Sequence, residues 1–105
     1  MRFFTVTMSH PAGDGWNRHL ADHVRYLREL VAAGVLRASG PLKGTSLRSG
    51  FLIFKAEDRA AVEALVASDP FAVEGLIVQL TIVEWDPLFG AFADESSGHL
   101  PGLVE

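Results

Sequence analysis

Residues 16–42, WNRHLADHVRYLRELVAAGVLRASGPL, change their hydrophobic period once, and that change decides the fold. From Trp16 to Ala33 the spacing is helical. At about 100° per residue, Trp16, Leu20, Val24, Leu27, Leu30 and Val31 share one arc, with Arg18, Asp22, Arg25 and Glu29 opposite. Gly34 is a standard helix stop, and residues 35–42 then read as a short strand closed by Gly40-Pro41. The strand that precedes the helix lies at 2–8 (RFFTVTM), β-branched and aromatic, ending at His10-Pro11.

The same alternation recurs downstream. A polar link, KGTSLRSG, leads into a strand at 51–56 (FLIFKA). Asp58 is placed to cap a second helix through RAAVEALVAS, and Asp69-Pro70 ends it, because a residue before proline resists helical backbone. Residues 76–85 (LIVQLTIVEW) are the plainest strand of all. The order β-α-β-β-α-β predicts an α+β, ferredoxin-like chain: an antiparallel sheet with both helices on one face. That domain spans 1–85 and leaves 86–105 as a tail. Phe3 and Phe4 point to opposite sheet faces, and the fourth strand is apolar on both sides. An uncovered apolar face on a small protein normally marks an interface, so a homodimer with its sheets face to face is expected. In the tail, Trp85, Leu88, Phe89 and Phe92 are too apolar to hang free. They are expected to pack over the cleft mouth or onto the partner subunit, with order at least through Phe92; residues 94–105 are read as loose or as anchored through Leu100, Leu103 and Val104.

Composition narrows the function classes. A chain of 105 residues with 49% hydrophobic content suits one domain with a real core. The absence of cysteine removes disulfides, thiolate zinc sites, iron–sulfur clusters and cysteine nucleophiles. No apolar run reaches the roughly 20 residues of a membrane helix, and MRFFTVTMSHP turns polar too soon for a secretion signal, so a cytoplasmic protein without membrane partners is expected. A net charge of −4 argues against nucleic acid. The charge is uneven, however: Arg18, Arg25, Arg28, Arg37, Lys43 and Arg48 all lie in the first half, which favours a small anionic ligand or simply solvates a surface.

His23 falls within the apolar arc, between Leu27 and Leu30. A buried histidine bonded to backbone fits that pattern; so does a general acid or base, since imidazole titrates near neutrality. His19 and His23 are four residues apart and can share a metal, but a third ligand is not evident, HRHLADH lacks the glutamate of a zincin, and no metal is expected. Asp69 suits a helix N-cap with Pro70 in the first helical position; it equally suits a carboxylate that orients His23. No serine sits in a nucleophile elbow and no glycine loop has phosphate-binding spacing. His19, Arg37 and Ser39 flank these elements and are candidate ligand contacts.

The stretches HVRYLRELVAAGVLRASGPL (23–42) and SDPFAVEGL (68–76) resemble the YciI-like (YCII-related) family, the likeness covering roughly residues 1–85. That resemblance implies a ferredoxin-like fold assembled as a dimeric α/β barrel, a His–Asp pair in the cleft that maps onto His23 and Asp69, and Gly40 and Pro41 beside the ligand. One branch of the family is a dehydrochlorinase of a chlorinated hydroxyhydroquinone that uses neither metal nor organic cofactor. The expected activity is therefore a cofactor-independent lyase or isomerase acting on a small oxygenated or aromatic compound. The alternatives are a non-catalytic small-molecule-binding domain and, by fold analogy alone, a cofactor-free oxygenase.

Overall fold

Strand β1 (Arg2–Ser9) lies inside a four-stranded antiparallel sheet ordered β2-β3-β1-β4, where β2 is Leu36–Pro41, β3 is Ser49–Ala56 and β4 is Gln79–Trp85. The structure is a computed structural model and describes residues 1–102. Helix α1 (Gly15–Ala32) links β1 to β2; α2 (Arg59–Ala67) and a single turn, α3 (Pro70–Val73), link β3 to β4. This is the ferredoxin-like α+β fold. Leu103 and Val104 lie outside the described residues.

Alternation along β1 separates the two sheet faces. Phe4, Val6 and Met8 join Leu52, Phe54, Val62, Val66 and Ile82 in the core beneath the helices, with Leu27 and Leu30 packed against it. Asp58 caps α2 by accepting from Ala61 N–H at 2.9 Å, and Gly34 follows α1 with φ of +77°, a conformation that side chains rarely adopt. Gly15 starts α1 where a Cβ would come within 2.8 Å of the Leu76 side chain.

The element boundaries shift in two places. β3 begins at Ser49 rather than 51, because Ser49 pairs with Ser9 through both backbone register and a 2.9 Å hydroxyl contact. β4 begins only at Gln79. Leu76 serves elsewhere: its N–H donates to Phe71 carbonyl and its carbonyl accepts from the His10 ring, while Val78 N–H donates to Ser9 carbonyl at the end of the ladder.

A bulge in β2 has a larger consequence. The register runs Leu36 opposite Phe54 and then Ala38 opposite Ile53, so Arg37 is the extra residue. Leu36 points under the helices, yet so does the side of the strand carrying Ser39 and Pro41. Arg37 is turned to the other face, onto the rings of Phe3 and Phe92.

That other face is not bare. Phe92 packs on Phe3 with centroids 5.5 Å apart, Trp85 meets both rings edge-on, and Glu95 accepts from Arg37 and Lys55 at 2.6 Å. The tail therefore covers Phe3 from the side away from the helices. No described tail residue lines the cavity described below, so within one chain the described tail packs away from the cleft mouth.

Candidate functional site

The apolar arc of α1 faces a cavity instead of a closed core. No residue of the helix is fully buried; Trp16, Leu20, His23, Val24, Leu27 and Val31 form one wall of a space of about 680 Å³. Met8, Leu36 and Leu52 form its floor, and Ser39, Gly40, Pro41 and Ser49 the sheet side.

His23 is stapled to the far end of this wall. Its Nδ1–H donates to both Asp69 carboxylate oxygens at 2.9 Å, and a carboxylate acceptor assigns the proton to Nδ1. Asp69 is 2% exposed. Its Oδ1 also accepts from Phe71 N–H at 2.9 Å, the N-cap of α3, so the cap and the histidine partner are one group. The His23 ring stacks on Phe71 at 4.0 Å with 13° between planes, which fixes its remaining rotation. Behind the pair, Tyr26 Oη donates to Leu65 carbonyl at 2.6 Å, and burial, then the Asp69 charge, push its phenol above the usual value.

His10 is a site residue that the sequence marks only as part of the His10-Pro11 end of β1. It is 4% exposed, donates from Nδ1 to Leu76 carbonyl at 2.7 Å, and meets the Phe71 ring edge at 4.8 Å. The X-His-Pro ending of β1 marked a turn, and nothing local announced a partner 66 residues away. Among the described residues no fully enclosed side-chain nitrogen or oxygen lacks a hydrogen bond. The Nε2 atoms of His10 and His23 make none, so both are open to the cavity that these residues line. Each ring thus has one nitrogen fixed by the protein and one left for a proton at the cavity surface.

Of the candidate ligand contacts, Ser39, Gly40 and Pro41 line the cavity. A Cβ on Gly40 would meet nothing, so Gly40 contributes backbone there, not a required clearance. Arg37 does not reach the space. Flanking the same elements as Ser39 does not bring it to the same face, because the bulge turns Arg37 onto Phe3 and Phe92. His19 also stays outside, its Nε2 3.8 Å from Glu74. Among the described residues no three His, Asp or Glu side chains gather as a metal set, and no helix is long and apolar enough to cross a membrane.

Fold and geometry together define a ferredoxin-like α+β chain with a carboxylate-held imidazole on the wall of an apolar cavity. Residues 1–86 match the YCII-related domain, and the chain belongs to that family. No curated protein matches it. Among solved structures it is similar to the 5-chloro-2-hydroxyhydroquinone dehydrochlorinase of Burkholderia phenoliruptrix in complex with 2,5-dihydroxybenzoquinone, at 26% identity and TM-score 0.69, covering 79% of this chain and 92% of that one. A NIPSNAP domain protein from Burkholderia xenovorans is 18% identical, with TM-score 0.55 over 83% of this chain and 94% of that one. A dimeric ferredoxin-like protein from Jannaschia is 18% identical, with TM-score 0.51 over 82% and 99%. The last two share the fold alone.

Proposed function

We propose that the chain is a cofactor-independent acid/base enzyme, a lyase or isomerase, acting on a small oxygenated ring compound. The observation that carries this reading is the asymmetry of His23: Nδ1 donates to both Asp69 oxygens at 2.9 Å, while Nε2 opens onto the cavity. A carboxylate on Nδ1–H sets the tautomer in which Nε2 of the neutral ring is the acceptor and steadies the imidazolium that forms when it takes a proton. In the proposed step, Nε2 removes a proton from a ring carbon beside a carbonyl, and the electron pair of that bond moves into the ring. Return of the proton at another position gives an isomer. Departure of a leaving anion with its own bonding pair gives an elimination, with net loss of HX. His10 is the second group that can hold or return the proton. Positioned acid/base help is worth roughly 10²–10⁴-fold, enough for an activated C–H. The dehydrochlorinase relative, at 26% identity, supports elimination as the type.

The test is a solvent-deuterium exchange screen over phenols and α-keto acids. Exchange that disappears in His23→Ala, with the fold retained, is the expected result. Binding without exchange in the wild type would instead make the chain a binding module, and oxygen uptake with quinols would make it an oxygenase.

We propose further that the protein is a homodimer through the sheet face away from the helices. Val83 is 52% exposed there, the half-buried Phe51 lies on the same face across β1, and the tail covers only the Phe3 end. A standard interface of about 1,600 Å² would bury this surface. Sedimentation at micromolar concentration should give twice 11.4 kDa; a clean monomer refutes it.

A further inference from the structure

The pairing of charges singles out the cavity. Arg2, Arg18, Arg25, Arg37, Lys55 and Arg59 each have a carboxylate within ion-pair distance. Arg28, Lys43 and Arg48, the rest of the chain's lysines and arginines, have none among the described residues, and all three line the cavity. Among the described residues no aspartate or glutamate lines it, although the chain as a whole carries a net charge of −4. A random scatter of surface charge on an acidic protein would put acids in the same wall.

Arg48 is also the best held of the three. Its guanidinium lies 4.1 Å over the Trp16 ring centroid, and its backbone carbonyl accepts from His10 N–H at 2.9 Å. Stacking on an indole restrains the group by its face and leaves the N–H edge available to an oxyanion. The charged side chains that line the cavity are therefore cationic, and Leu20, Val24 and Leu27 give its α1 wall an apolar surface beside His23.

We propose that the cavity takes a small planar anion, with a carboxylate or ionised hydroxyl oxygen at Arg48, Lys43 and Arg28 adding to the field, and the ring against the α1 wall. This deepens the acid/base reading and rests on it: charge that grows on a ring oxygen as His23 removes a proton is stabilised by a cation already in place. It also makes binding sensitive to salt, because the rim is open to solvent.

The experiment uses matched probes, benzoate and gentisate against their neutral amides, titrated calorimetrically into the wild type, Arg48→Gln, Arg48→Lys and His23→Ala. The acids should bind more tightly than their amides, and the preference should shrink at high salt. Arg48→Gln should lose roughly 10- to 100-fold in affinity for the acids and little for the amides, the size expected for a hydrogen bond to a charged group. Arg48→Lys should recover part of the loss, and His23→Ala should keep the preference. Acids that bind no better than amides, acids that do not bind at all, or an Arg48→Gln variant with its preference intact would each overturn the proposal. If the preference fails while deuterium exchange still depends on His23, only the anion site is wrong. If the preference holds and exchange is absent, the acid/base reading is the one that fails.

Discussion

Replacing Asp69 in two ways separates what its carboxylate does for the fold from what it does for His23. The group is 2% exposed, caps α3 through Phe71 N–H, and takes the His23 proton between its two oxygens. Asp69→Ala removes the cap, worth about 1 kcal/mol, and strips a part-buried N–H of its charged acceptor, worth about 1.5–3 kcal/mol. The sum of about 2.5–4 kcal/mol should lower Tm by roughly 10–16 °C in a chain of this size. Asp69→Asn keeps the cap, because an asparagine oxygen accepts from Phe71 N–H as well as aspartate does. Its other group is an NH2 donor facing Nδ1. The ring then accepts at Nδ1 and carries its proton on Nε2, which no longer acts as a base. Asp69→Asn should therefore melt above the alanine variant yet lose roughly 10²–10⁴-fold in proton exchange, less complete than the loss in His23→Ala. Thermal unfolding by circular dichroism and the exchange assay read the two effects separately. If both variants melt with the wild type, the carboxylate does not hold this end of the fold. If Asp69→Asn exchanges protons at the wild-type rate, the tautomer reasoning is wrong.

Three further outcomes follow from contacts elsewhere. Glu95 is held at about 2 instead of 4.5 by hydrogen bonds from Arg37 and then Lys55; a folded-state value below the unfolded one means its contribution is whole above the usual carboxylate range and disappears as pH falls through about 2. Trp85 fluorescence should therefore report loosening of the Phe92 contact in that window, and Glu95→Gln should show it already at neutral pH. Phe92→Ala should cost about 1–2 kcal/mol, read by denaturant unfolding, because it uncovers Phe3; no change would mean that the tail contact is idle. His10→Asn keeps a donor near Leu76 carbonyl but removes Nε2, so it should slow exchange while leaving the fold close to wild type; equal slowing and unfolding would make His10 structural.

The fold was legible because each of its elements announces itself locally. The period change at Gly34, the Asp58 cap and the Asp69-Pro70 break are all short-range signals, and the ferredoxin-like order follows from them. What was hidden depends on register and on distance. The bulge at Arg37 has no local signature, so proximity in sequence to Ser39 does not reveal that Arg37 faces the other side of the sheet. His10 finds its partner on Leu76 across the chain, just before the β4 ladder begins. A helical period reports which side of α1 is apolar, but not whether that side meets a packed core or an opening. The stripe containing His23 was read as core-facing; it is a cavity wall.

That distinction bears on the plainest alternative, a histidine buried for structure alone. A structural imidazole tends to have both nitrogens satisfied by the protein, since an unpaired polar atom in a core is costly. His23 and His10 each have Nδ1 satisfied and Nε2 unpartnered, on either side of one ring, Phe71, that both contact. A packed core would have no reason to repeat that half-satisfaction twice around one phenylalanine, nor to spend a fully buried carboxylate on aligning one of the rings. Cavity, alignment and unpaired nitrogens belong to one arrangement, and it is this arrangement on which the acid/base proposal rests.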